Sequence, residues 1–300
     1  MTISLFIEQI LNGLQFGVML FLMSAGLTLV FGVMGLINLA HGSFYMIGAF
    51  AAALFAELTG SFMIAMIASF VAALFAGALT ELIIIRKIYK RDHLDQVLAT
   101  FALILLFSEG IRWIFGAYPL YLDIPNSLSS SFNLPFEIIY SKYRMMIILV
   151  GIIIAIILYF LISKTLIGIR IKAGQNDREM IGALGVDVTK LYTIVFSLGA
   201  ALAGLAGALI GAIQSVEVGM GEPVLILAFV VIVIGGIGSI KGAFVGALLV
   251  GITDTMGRFL LPSFFSYFFD NASATSIGSS IASMSIYILM ATVLIFKPSG

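Results

Sequence analysis

The sequence predicts an all-α polytopic membrane protein, and three observations carry that prediction. Of its 300 residues, 61% are hydrophobic and 10% are charged, and the mean hydropathy is +1.19. A soluble exterior needs more charge than that. Apolar stretches near or above ~18 residues, the length that crosses a bilayer, recur along the whole chain. Thirty-one glycines stand against six prolines, a balance suited to helices that pack closely in lipid.

Hydropathy outlines spans at 5–33, 37–58, 61–85, 95–117, 143–163, 190–214, 223–239, 242–261 and 281–296. The N-terminal MTISLFIEQILNGLQFG has no basic leader and carries Glu8, Gln9 and Asn12, so it reads as the start of the first span and not as a signal peptide. Glycines and polar residues interrupt the second and seventh stretches, which read as broken or re-entrant helices. The count is therefore eight or nine.

Basic residues set the orientation. Arg86, Lys87, Lys90, Arg91, Lys164, Arg170, Lys172, Arg178, Lys190, Lys241 and Lys297 share one side, eleven of the fifteen Lys and Arg. Arg112, Lys142, Arg144 and Arg258 take the other. The first side is assigned to the cytoplasm. Nine crossings put the C-terminus there and the N-terminus outside; eight would put both inside. Residues 118–142, with Pro119, Pro125 and Pro135, read as an external loop.

Formal net charge is zero, which gives no sign of a nucleic-acid partner. The absence of cysteine excludes disulfides, iron–sulfur clusters and thiolate metal sites. A lone His41 is a poor metal candidate, because the only other histidine, His93, lies in the basic connection after residue 85.

The connection 164–189 carries Met180, Ile181 and Leu184 at helical spacing beside Asp177, Arg178 and Glu179, the pattern of a short amphipathic helix outside the bilayer. It reads either as a solvated loop or as a docking element for a cytoplasmic partner. In GAALAGLAGALIGA (199–212), small residues recur at every fourth position along two faces, which permits close backbone approach. Gly242 and Gly246, and Ala243, Ala247 and Gly251, repeat the device. The expectation is that residues 190–261 form one packed unit.

The stretch GVMGLINLAHGSFYMIGAF (32–50) sets Asn38, His41 and Ser43, with Gly35 and Gly42 among them, inside an apolar run. They are either packing groups satisfied by nearby backbone or part of a solvated pathway, because irregular backbone survives at membrane depth only against protein or a wet cavity. Glu109 with Arg112 and Asp254 with Arg258 are spaced for pairing on helix faces. Glu57, Glu81 and Glu217 fall near span ends. A proton-coupled carrier would place carboxylates at mid-span, so this distribution counts against one. GGIGSIKG (235–242) is not a phosphate loop: Ile240, not glycine, precedes Lys241, and the segment joins two apolar stretches. No hydrolytic constellation stands out, so the chain is not expected to be an enzyme by itself.

These residues meet a known family. GLTLVFGVMGLINLAHGSFYMIGAF (26–50), preceded by Asn12-Gly13-Leu14, resembles the N-x-A-H-G segment of branched-chain amino acid ABC transporter permeases. LAFVVIVIGGIGSIKGAFVGALLVG (227–251) is similar to their second hallmark, and ILMATVLIFKPSG to their closing basic-P-x-G. Chain length favours the shorter, LivH-type subunit.

The resemblance implies a type II ABC importer permease-like bundle, a single transmembrane domain over 1–300 in a bacterial-type inner membrane. It implies a homologous second permease, two cytoplasmic ATPases that bind the ATP, and an extracytoplasmic solute-binding protein, with no cofactor of the chain's own. The solute would be a branched-chain amino acid or a related small polar molecule. Asp177, Arg178, Glu179, Leu184, Gly185, Val186 and Asp187 match the family's ATPase-coupling segment; movement transmitted there would open a pathway lined in part by 35–48, with Gly35, Asn38, His41, Gly42 and Ser43 as its candidate residues. Lys241 departs from the usual proline, Leu227 from a common lysine, and Gly168-Ile169-Arg170 from the common G-R-A. The alternative is a self-sufficient secondary carrier or channel.

Overall fold

The computed structural model describes residues 3–89 and 91–297; the side chains of Phe136 and Arg178, Lys90 and residues 298–300 lie outside that description. Eleven helices and one hairpin follow in order among the described residues. They are α1 (Ile3–Met34), α2 (His41–Thr59), α3 (Phe62–Ile88), α4 (His93–Phe115), β1 (Ser131–Leu134), β2 (Ile138–Ser141), α5 (Lys142–Lys164), α6 (Leu166–Asn176), α7 (Arg178–Ala183), α8 (Val188–Gly211), α9 (Gly221–Gly235), α10 (Ile240–Phe265) and α11 (Asn271–Phe296). Eight are long and apolar enough to cross a membrane, whereas α9 has 15 residues, about 22 Å of helix.

Side chains at the starts of helices fix where many of them begin. Ser61, Thr165, Asp177, Asp187, Ser239 and Asp270 each accept a hydrogen bond from a backbone N–H in the first turn of the helix that follows, meeting donors the helix itself cannot satisfy. The connection between α4 and α5 contains the antiparallel hairpin β1–β2, with Ser131 opposite Ser141.

The ends of the helices define two faces. On the hairpin face, Arg144 at the start of α5 donates to Asn12 of α1 (2.6 Å), and Leu120 exchanges backbone hydrogen bonds with Val216. On the opposite face, Gly32 near the end of α1 lies against Gln175 of α6 and Gly238. Traced between these anchors, the chain passes from one face to the other nine times. The passages after α1 and after α8 each combine an irregular segment with a helix. α9, though short, follows Val216 in the chain and ends beside Gly238, so its passage joins the two faces. The two ends of the described chain therefore lie on opposite faces.

Burial separates the helices into centre and wall. In the most apolar stretch of α1 and of α8, 83% of residues are buried, against 22% in α3 and 11% in α11. α8 packs on α1, α2 and α3, while α10 packs on α1, α9 and α11. The expectation that 190–261 forms one packed unit is corrected here: α1 stands between α8 and α10, and while one glycine of each meets α1, Gly204 and Gly207 meet α2 and Gly242 and Gly246 meet α9. Gly199 meets Gly26, and Gly251 meets Gly17. Small residues specify a close approach but not its partner.

Candidate functional site

α1 ends where Gly35 adopts φ 65° and its N–H returns to the Phe31 carbonyl (2.9 Å), a left-handed stop that glycine adopts without penalty. The chain then climbs back without helix to His41, whose Nε2 lies 3.3 Å from the Met23 carbonyl. Met23 is eleven residues, about 16 Å, short of the end of α1. α2 thus begins inside the bundle. α9 does so too, because the backbones of Gly42 and Gly221 touch: a Cβ on Gly221 would lie 1.9 Å from the Gly42 carbonyl oxygen.

The polar residues of the break are sealed from solvent, with Asn38 0% and His41 1% exposed and Ser43 also buried. Asn38 Oδ1 accepts from the Ala40 N–H (3.1 Å) and the Asn38 carbonyl from His41 N–H, while Ser43 N–H donates to the Ala40 carbonyl. Among the described residues, Asn38 Nδ2 has no partner. A carbonyl only accepts, so His41 Nε2 carries the proton and Nδ1 is an acceptor, also without a partner. The break therefore holds one unmet buried donor and one unmet buried acceptor. A cavity of about 590 Å³ lies elsewhere, between the end of α2 and the 119–126 loop.

The second candidate is the α6–α7 segment. Asp177 caps α7 through the N–H groups of Glu179 (3.0 Å) and Met180 (2.9 Å). Gly185, at φ 84°, ends it, with Leu184 N–H on the Met180 carbonyl and Val186 N–H on that of Ile181. Ile181 is buried, whereas Met180 and Leu184 are 58% and 75% exposed beside the exposed Glu179. The three apolar residues do not share one face: one anchors the turn and two project. Asp187 caps α8 through Lys190 N–H (3.0 Å) and pairs with Lys190 Nζ (3.2 Å). These hold its carboxyl below the usual carboxylate range, the backbone bond first. A depressed carboxyl contributes stability above its unfolded pKa and loses it as pH falls through the folded value, so this cap is intact at neutral pH.

A family model described as the permease component of branched-chain amino acid transport systems matches residues 9–296. The chain belongs to that family. This permease-family chain is 27% identical to the high-affinity branched-chain amino acid transport system permease protein BraD of Pseudomonas aeruginosa, over 98% of its own length and 95% of that protein's. It is 29% identical to the probable branched-chain amino acid transport permease protein LivH of Methanocaldococcus jannaschii, over 86% and 83%. A shorter likeness, 34% identity over 35% of the chain and 31% of the relative, is to the fructose import permease protein FrcC of Rhizobium meliloti. No solved structure matches.

One cluster of this permease went unseen in the sequence. Glu81 is wholly buried, in a π turn of α3 (Glu81–Ile85). Arg86 donates to both its oxygens (3.3 and 3.1 Å), Thr193 of α8 donates to one (2.7 Å), and Tyr89 donates to the other. Burial first, and then that bond, push the Tyr89 hydroxyl above its usual range, so it stays a donor. The Glu81–Arg86 spacing is five, and only the π turn brings such residues onto one face. Arg86→Ala is expected to lower stability, because it leaves the buried Glu81 carboxylate without its cation. The loss is below that of a fully buried pair because the Arg86 side chain is 37% exposed. Glu81→Met with Arg86→Met should recover part of that loss in a detergent unfolding titration; equal losses would remove the pairing argument.

Proposed function

We propose that this chain is the permease subunit of an ATP-driven importer for branched-chain amino acids or a related small polar solute. It pairs with a homologous permease, two cytoplasmic ATPases and an extracytoplasmic binding protein. ATP is hydrolysed by the partners, and the movement enters through α6–α7. The observation that carries this reading is the projection of Met180 and Leu184 from a capped turn outside the apolar bundle. Exposed apolar anchors among charges are what a partner's groove takes up. The family and the names of the relatives supply the substrate class. Most of the Lys and Arg gather at the α6–α7 face, which supports a cytoplasmic assignment for that face and, with it, a C-terminal end inside and an N-terminal end outside.

The solute path runs past the break between α1 and α2. An unmet donor at Asn38 and an unmet acceptor at His41 support this, since buried polar groups are ordinarily satisfied. Ser43, Gly35 and Gly42 belong to the same break, the two glycines shaping its backbone. Asn38→Leu is expected to reduce uptake at least tenfold with undiminished protein in the membrane. Loss of the protein with normal uptake per molecule would make Asn38 a packing group. The whole reading is tested by purifying the complex from native membranes through a tag on this chain and identifying its subunits by mass spectrometry. ATPases and a second permease are expected; the chain alone, transporting in liposomes without ATP, would overturn it.

A further inference from the structure

Lys241, the residue that departs from the family's usual proline, sits where two cavities meet. One is an apolar groove of about 410 Å³ along the outside of α5 and α10, floored by Phe244, whose ring packs edge to face at 5.0 Å on the buried Phe21 beneath it. It runs from Ile152 to Tyr159 on α5, about 10 Å along the helix toward the α6 face. The other, about 180 Å³, continues it at that face and is lined by Ser163, Lys172, Gln175, Ser239 and Lys241. Tyr159, Ile240 and Lys241 line both. Lys297 joins Lys241 in a third cavity on the far side of α10. Asp and Glu are absent from the linings of all three.

Among the described residues, neither Lys172 nor Lys241 has a carboxylate partner. Lys241 Nζ lies instead 5.0 Å above the Tyr159 ring, a contact that holds the ammonium at the mouth of the groove without neutralising it. An apolar slot open to the bilayer, ending in uncompensated lysines and hydroxyls at the membrane surface, has the complement of one molecule: an acyl chain ending in a phosphate.

We propose that the α5–α10 groove and the Lys172–Lys241 cavity form a binding site for one anionic glycerophospholipid. Its acyl chain lies along Ile152, Ile156, Phe244 and Val245 and its phosphate sits between the two ammonium groups, as basic pockets between transmembrane helices hold acidic headgroups. The leaflet is the cytoplasmic one, a clause that rests on the orientation proposed above; the site itself does not depend on the transport reading.

The test uses the tagged, membrane-purified protein in native mass spectrometry, with phosphatidylglycerol or phosphatidylcholine of identical acyl chains added back. Preferential retention of one phosphatidylglycerol is expected. Lys172→Gln with Lys241→Gln should weaken it about thirtyfold, from roughly fivefold for each lysine near a headgroup, and leave phosphatidylcholine unchanged. Ala155→Phe, which fills the groove and keeps both lysines, should reduce both lipids. Equal retention of the two lipids, or no response to the lysine pair, would overturn the proposal. So would a disulfide between Ala155→Cys on one copy and Val245→Cys on another, since it would put a second chain in the groove. The cysteine-free sequence makes that reaction specific.

Discussion

Gly48→Val is expected to prevent α2 from seating on α8 and to cost more stability than any change on the lipid-facing wall. A Cβ at Gly48 would stand 2.2 Å from the Gly204 Cα and 2.4 Å from its carbonyl oxygen. Both are backbone atoms of a central helix, so no rotamer change relieves the overlap. Overpacking of a core that can shift costs about 1–3 kcal/mol; here two helix axes must separate, and the expected loss is at the top of that range or beyond. The Ser69 hydroxyl, which donates to the Gly204 carbonyl (2.9 Å), would lose its partner in the same movement. The measurement is the thermal midpoint of the detergent-solubilised protein beside Gly110→Ala, where an added Cβ meets nothing within 4 Å. Gly110→Ala should be neutral or stabilising by up to about 1 kcal/mol. Equal midpoints for the two variants would refute the close crossing.

Replacing Met180 and Leu184 by aspartate should abolish ATP-driven uptake while the permease still inserts and folds. Both side chains project from α7 and touch no core, and Ile181, which does, is left in place. Residues that anchor an interface contribute about 2 kcal/mol or more each, so the pair should weaken ATPase assembly by several hundredfold or more. Co-purification of the ATPases, read alongside uptake, separates the possibilities. Loss of both is expected. ATPases retained with normal uptake would mean that the turn is merely solvated. Glu179→Lys, which reverses a charge on the exposed turn and leaves the apolar anchors, should act in the same direction by a smaller factor.

Much of this architecture is legible without coordinates. Spans, their approximate ends and the polar break are written in hydropathy, because a bilayer demands long apolar helices and tolerates irregular backbone only in the interior. The turn at 177–187 is written in local chemistry: Asp177 caps, Gly185 stops and Asp187 caps again. The Glu81 cluster was illegible for the converse reason. Its residues are 81, 86, 89 and 193, a set joined by a π turn and by the contact of α3 with α8, neither of which leaves a periodicity in the chain. Lys241 was visible as a departure from a motif, but its relation to Lys172 was not, since they lie on different helices.

The sequence by itself determined that this is a helical membrane protein and roughly where most of its helices start and stop, although α11 begins at Asn271, ten residues before the span read at 281–296. Only the tertiary structure decided which helices are central. α1 and α3 have nearly equal hydropathy, 2.2 and 2.4, yet 83% of one window is buried and 22% of the other. In water, burial writes itself into composition because the outside must be polar. In lipid the outside is as apolar as the core, so a helix facing protein and a helix facing acyl chains read alike. What separates them is the fit of small residues against a particular neighbour, and that neighbour exists only once the chain has folded.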